Sequence, residues 1–485
     1  MSVKEFIPLA APDVSLNESV AQATPPPAAR RKSPDAGTLV VPSGLSLRSN
    51  FAWVLSGNLV YAACQWGVVV ALAKLGSSFM VGQFSLGLAI ATPVFMFTNL
   101  HLRAVQATDA RRLYTFAEYL HLRMVMTLAA MLVIAGIAWF GQYERRTAAV
   151  ILAVALAKGI ETLSDIHYGL FQLNDRLDQT GRSMMLRGLL SVVAVSAGLY
   201  LTGDVFWGCA GLALVWLVAL LYFDVRRGRR FAARPPESGR RLDGTGCGHL
   251  SRLVCGFQRQ WRLMYLALPL GIVTTMASIN LNMPRYFIHT RLGEHQLGIF
   301  SAMAYATVAM TLVSDSLGHS AIPGMSRLYA GGRLAEFRSL LLRLLAVGGV
   351  LGLAGLAVAQ VMGARLLTIF YSPEYAAHSR VFLLLMFAMA IHSAACILTS
   401  GIMSARRFGI QVPMYGLVLG CSALACARWV PGAGLAGGAM AMMAAAAVHL
   451  LLAAVIVGYL LLAPVKRSSA AGARRPVSTI WQPDL

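Results

Sequence analysis

From Phe51 to Leu462 apolar residues run in long stretches broken by short polar segments. A helix rising 1.5 Å per residue needs about 20 apolar residues to cross a hydrocarbon layer of roughly 30 Å. The pattern predicts twelve such spans, near 51–73, 80–100, 122–140, 147–170, 184–203, 205–223, 263–283, 297–317, 340–362, 380–401, 409–428 and 434–462. Strands of a membrane barrel would be only about ten residues long and would alternate in polarity. The expected fold is therefore an all-α integral membrane protein with about twelve transmembrane helices.

The breaks in the pattern divide the chain. Residues 1–48 are polar and rich in Pro and Ala (ATPPPAARRKSPDAG), with no apolar signal core, and read as a disordered tail. Residues 49–224 form a first lobe of six spans and 263–463 a second. Between them lies a basic linker, 225–262. Its distal part places Leu250, Leu253, Val254, Phe257 and Trp261 at helical spacing beside Arg252, Arg259 and Arg262, the pattern of an amphipathic helix lying in lipid headgroups. Residues 464–485 form a second tail.

The halves carry a weak repeat. GQFSLGLAIAT begins at Gly82 and GIFSAMAYAT at Gly298, an offset of 216 that also carries the start of span one into span seven. Lobes with an even number of spans share one orientation, so the expected symmetry is a pseudo-two-fold along the membrane normal. Such parallel repeats place a substrate path between the lobes.

Composition agrees with lipid as the solvent: 57% of residues are hydrophobic and 13% charged, against about 25% charged in soluble domains. The formal charge of +21 suggests a polyanion partner until the charges are placed. With span-edge residues counted in the adjoining loop, the two tails and every even-numbered loop hold 32 of the 41 Lys and Arg. The opposite loops hold 8, and Lys158 falls near mid-membrane. This is the positive-inside pattern, so both termini are expected in the cytoplasm of a multi-pass protein of the bacterial inner membrane, with no nucleic-acid partner. The seven cysteines show no CxxC or Cys/His spacing, and neither a disulfide nor a metal site is expected.

The most informative helix is span four. Lys158, Glu161, Asp165, Tyr168 and Gln172 fall within an arc of about 80° at 100° per residue. Intramembrane charges cost about 2.5–3.5 kcal/mol each at a helix centre, so the stripe must face protein or water. Mutual neutralisation of Lys158 and Glu161 would explain that pair alone, not the other three. Glu161 or Asp165 is a candidate carrier of a coupling H+ or Na+, and Lys158 a candidate contact for an anionic headgroup. Span one adds Asn58, Tyr61 and Gln65 on one face; span seven adds Thr274, Ser278, Asn282 and Arg285. Asp315 is a further deep acid. His392 and His449 read as packing groups, and the glycines of spans nine and twelve as close helix contacts.

No phosphate loop, nucleophile elbow or metal pair appears, and no segment between spans exceeds about 40 residues, too little for a separate catalytic domain. The protein is expected not to be an enzyme and to need no cofactor.

From Leu268 to Met310 the chain reads LPLGIVTTMASINLNMPRYFIHTRLGEHQLGIFSAMAYATVAM, and from Lys158 to Gly188 KGIETLSDIHYGLFQLNDRLDQTGRSMMLRG. These runs resemble the polysaccharide biosynthesis, or oligosaccharide flippase, family of the multidrug/oligosaccharidyl-lipid/polysaccharide exporter superfamily, over roughly 48–462. The resemblance implies a two-lobed exporter that turns a polyprenyl-diphosphate-linked oligosaccharide across the membrane by rocking about a cationic cavity, often with ion coupling. It implies roles for Lys158, Glu161, Asp165, Arg285 and Arg291. The implied partners are the lipid-linked oligosaccharide, membrane lipids and polysaccharide polymerase or assembly proteins. A multidrug/cation antiporter of the same superfamily, a membrane polymerase or ligase, and a scaffold subunit of an assembly complex are the alternatives.

Overall fold

A computed structural model describes residues 47–109, 114–232, 249–405 and 407–462. The first lobe is built from α1 (Leu47–Leu75), α2 (Ser78–Asn99), α3 (Leu102–Thr108), α4 (Phe116–Phe140), α5 (Arg145–Leu173), α6 (Leu177–Thr202), α7 (Val205–Ala219) and α8 (Arg226–Ala232). The second contains α9 (His249–Ala306), α10 (Val308–Ala330), α11 (Leu334–Phe370), α12 (Pro373–Ala376), α13 (Ser379–Ser404) and α14 (Gln411–Leu462). Nine helical stretches among the described residues are long and apolar enough to cross a membrane. Two reversals raise the number of crossings. Gly293 (φ 82°) divides α9, and Gly434 (φ 57°) divides α14. At Gly434 the chain doubles back so tightly that a Cβ on Gly437 would lie 2.2 Å from the Trp429 carbonyl oxygen. With α9 and α10 supplying spans seven and eight, the bundle has twelve crossings in two lobes of six.

Because successive crossings alternate, Leu47, α3, α8, Gln411 and Leu462 share one end of the bundle, here the near end. The α1–α2 turn, Gly293, α12 and Gly434 share the far end. Local signals set these boundaries. Ser77 caps α2, Thr115 and Glu118 form a reciprocal capping box at the start of α4, and Asp204 caps α7.

Two boundaries differ from the sequence reading. Span six does not stop at 223: it passes through a π turn, Leu220–Val225, into α8. That turn contains Asp224, wholly buried against Arg187. The segment 249–262, expected as a separate surface helix, is the start of α9, which keeps helical dihedrals until Gly293. Uninterrupted i to i−4 bonding makes it a continuation of span seven; its side chains lie outside the described residues, as do both tails and 233–248.

The repeat seen in the sequence is where the lobes meet. A Cβ on Gly82 would stand 1.9 Å from the Glu294 carbonyl oxygen, and one on Gly298 would stand 1.7 Å from that of Ser78. Glycine alone lets α2 and the second segment of α9 cross backbone to backbone.

Candidate functional site: an inter-lobe cavity and the charges behind it

The polar stripe of α5 does not line one pathway. At its centre Lys158 donates to Glu161 at 2.7 Å, with both side chains about a quarter exposed, and Tyr61 of α1 donates to the same carboxylate at 2.6 Å. Toward the near end Asp165 receives Arg103 of α3 and Arg123 of α4, each at 3.2 Å. Arg123 is 1% exposed and also donates to Asn99. Tyr168 is buried in the first lobe, hydrogen-bonded to Ser183 at 2.9 Å beneath the guanidinium groups of Arg103 and Arg187. Gln172 is exposed on the surface. The stripe therefore separates into a cavity-facing pair, a near-end ion cluster, a packed tyrosine and a surface amide.

Lys158 is not the only deep cation. Arg123 and Arg187, counted with loops in the sequence, lie inside α4 and α6. Arg187 pairs with Asp224 at 3.4 Å, donates to Ser164 and stands over the Trp216 ring. Sequence patterning misses both because each is neutralised by a carboxylate far away in the chain. A buried arginine survives only when paired and hydrogen-bonded.

Between the lobes lies a cavity of about 760 Å³. The first lobe contributes Gln65 and Lys158; the second contributes Asn282 and Arg285. Arg285 donates to Asn282 at 2.6 Å and lies over the Tyr305 ring at 5.6 Å. Tyr305 and Lys158 line the same cavity. His101 and Gln411 mark the near-end limit of the lining. Among the described lining residues the fixed charges are Lys158 and Arg285, with no Asp or Glu.

The remaining expected residues fall elsewhere. Asn58 and Arg291 are exposed and outside the lining, and the Asp315 side chain lies outside the described residues. Gln65 does reach the cavity, and its amide nitrogen is buried without a hydrogen-bond partner. His392 lines the cavity beside Cys396, while His449 is buried behind it on Thr399. No cluster with metal-ligand composition occurs among the described residues.

The far end is closed by contacts between the lobes that the sequence did not reveal. Thr147 accepts from Gln83 at 2.8 Å and donates to Glu294 at 2.7 Å; Ser78 donates to Glu374 at 3.2 Å. Trp66 donates to the Tyr371 hydroxyl at 2.8 Å, which itself donates to the Ala302 carbonyl at 2.9 Å.

No family model matches the chain. It is 23% identical, over 392 residues, to the capsular polysaccharide biosynthesis protein CapF of Staphylococcus aureus, covering 81% of this chain and 94% of that one. Its fold is similar to that of the lipid II flippase MurJ in an inward closed conformation, with a TM-score of 0.61 at 9% identity over 84% of this chain and 87% of that one. It is also similar to the MATE transporter VcmN of Vibrio cholerae, with a TM-score of 0.55 at 12% identity over 85% and 96% of the two chains. These likenesses, with twelve helical crossings about a central cavity, show that the chain has the two-lobed membrane fold of the MATE transporter and MurJ.

Proposed function

We propose that the protein moves a polyprenyl-diphosphate-linked oligosaccharide from the inner to the outer leaflet of a bacterial cytoplasmic membrane. The observation that carries this reading is the polarity of the cavity: among its described lining residues Lys158 and Arg285 face it from opposite lobes and no carboxylate does. At an effective dielectric constant of 20, a phosphate oxygen about 4 Å from a cation gains roughly 4 kcal/mol before desolvation is counted. A diphosphate can thus compete with Glu161 for Lys158 and draw both lobes onto one ligand. The CapF relative, a capsular polysaccharide biosynthesis protein, supports a glycan-linked cargo.

Charge asymmetry supports a cytoplasmic near end, and a cavity reaching the near end with the far end sealed then matches the inward-facing stage of an alternating-access cycle. Glu161 and Asp165 are both tied in ion pairs; of the two, Glu161 stands behind the cavity wall, which favours it as the site of any H+ or Na+ coupling. Polymerase or assembly proteins are the expected neighbours in the pathway. A cationic-drug antiporter would need acids on the cavity wall, which the described lining lacks.

Reconstitution decides the matter. Proteoliposomes holding the protein should translocate a fluorescent polyprenyl-diphosphate oligosaccharide, and Lys158→Ala or Arg285→Ala protein should not. Transport of an organic cation against a proton gradient, with no movement of the lipid-linked glycan, would overturn the assignment.

A further inference from the structure

We propose that the cavity contains a second, uncharged subsite for the sugar next to the diphosphate, built at its near end by Gln411, Ser400 and Tyr415 of the second lobe. The proposal rests on the assigned cargo and specifies which part of it this wall holds.

The wall and its depth come from the topology. Arg285 lies eight residues before the Gly293 reversal, on the far-end half of α9. Gln411 is the first residue of α14, and Ser400 lies in the last turns of α13, both toward the near end. Among the described lining residues the cavity therefore has a charged deep part and a polar approach without fixed charge. With the far end sealed, a headgroup anchored by phosphate at Lys158 and Arg285 has only the approach in which to place its glycan.

Gln411 supplies the independent observation. It is 3% exposed, it lines the cavity, and its amide nitrogen has no hydrogen-bond partner. A donor without a protein partner in this wall suits a ligand that accepts hydrogen bonds. Ser400 donates to the Cys396 carbonyl at 3.1 Å, which leaves acceptor capacity on its oxygen for a sugar hydroxyl. Tyr415, held against His449 with ring centroids 5.1 Å apart, offers an aromatic surface beside them. With donor, acceptor and ring, and no fixed charge among its described residues, this wall matches a neutral, hydroxyl-rich sugar better than a uronic acid.

The test compares three probes on purified protein in nanodiscs: farnesyl diphosphate, farnesyl diphosphate carrying N-acetylglucosamine, and the same lipid carrying glucuronic acid. Wild-type protein should bind the N-acetylglucosamine probe about tenfold more tightly than the bare diphosphate, the worth of one to two net hydrogen bonds. The glucuronic acid probe should show no such gain. Gln411→Leu, of similar volume, should bind both neutral-sugar and bare probes with the affinity of the bare one. If Gln411→Leu protein does not fold, Ser400→Ala and Tyr415→Ala carry the same expectation. Retention of the full sugar preference by the folded variants would overturn the subsite, as would a gain for the acidic sugar. Failure of wild-type protein to bind any of the three probes would instead reject the cargo assignment.

Discussion

Gly82 of α2 and Gly298 of α9 occupy equivalent places in the two lobes and make reciprocal contacts: Gly82 abuts Glu294, and Gly298 abuts Ser78. The offset of 216 that relates Gly82 to Gly298 also relates Ser78 to Glu294. A contact in which i meets j and the equivalent of j meets the equivalent of i is the signature of a two-fold axis. The seal at the far end is therefore built on that axis, where a rocking motion of the lobes would have to part it.

Substituting either glycine should hold the far end open. Leucine at Gly82 or Gly298 places atoms where the facing carbonyl oxygen stands 1.9 or 1.7 Å from the Cβ position, and backbone cannot yield as a side-chain tip can. Spin labels on the α1–α2 turn and on α12 should move apart in Gly298→Leu protein. An unchanged distance distribution would show that the crossing does not set closure.

Lys158→Ala should abolish glycan export while membrane protein levels persist, because Glu161 keeps the Tyr61 hydroxyl at 2.6 Å. Lys158→Arg should retain part of the activity, since charge is kept while the planar guanidinium pairs differently. A collapse in protein level with Lys158→Ala would assign the residue to insertion. Normal export by stable protein would remove it from the cargo site.

Breaking the Arg187–Asp224 pair should destabilise rather than inactivate. Arg187→Met leaves Asp224, wholly buried, without its cation, a change that typically costs about 3–5 kcal/mol. The double variant Arg187→Met/Asp224→Leu should recover much of the loss in thermal melts of purified protein. Equal melting points for single and double variants would show that the pair is not coupled.

Cysteine labelling should place Glu374 and Arg291 outside the cell and Arg229 inside, as the charge bias requires. The contacts between lobes at Glu294 and Glu374, Thr147–Glu294 and Ser78–Glu374, would then face the periplasm. Labelling of Arg229→Cys from outside would invert the topology and the proposed direction of opening.

Span number, lobe division and charge asymmetry were legible in the chain because the bilayer imposes them one segment at a time. Each span must satisfy its own backbone and present about 20 apolar residues whatever its neighbours do. The Gly82/Gly298 repeat was visible for a related reason: duplicated lobes need the same small residue at their shared axis. Lys158 and Glu161 were legible as an i, i+3 pair on one helix.

The allocation of polar groups between cavity, ion cluster and packing was decided only by tertiary structure. Helical spacing put Asp165, Tyr168 and Gln172 beside Lys158. What each touches depends on α3, α4 and α6, and Arg103, Arg123 and Ser183 claim the first two. Arg285 read as a residue near the outer end of a span, yet it shares a cavity with Lys158, because the lobes meet along α2 and α9. The sequence by itself determined how many times the chain crosses, which loops carry its charge and which helix carries its deepest polar stripe. Burial of charge between distant helices is paid for by partners that no local pattern names, so the cavity's cationic lining and its sealed far end belong to the folded lobes alone.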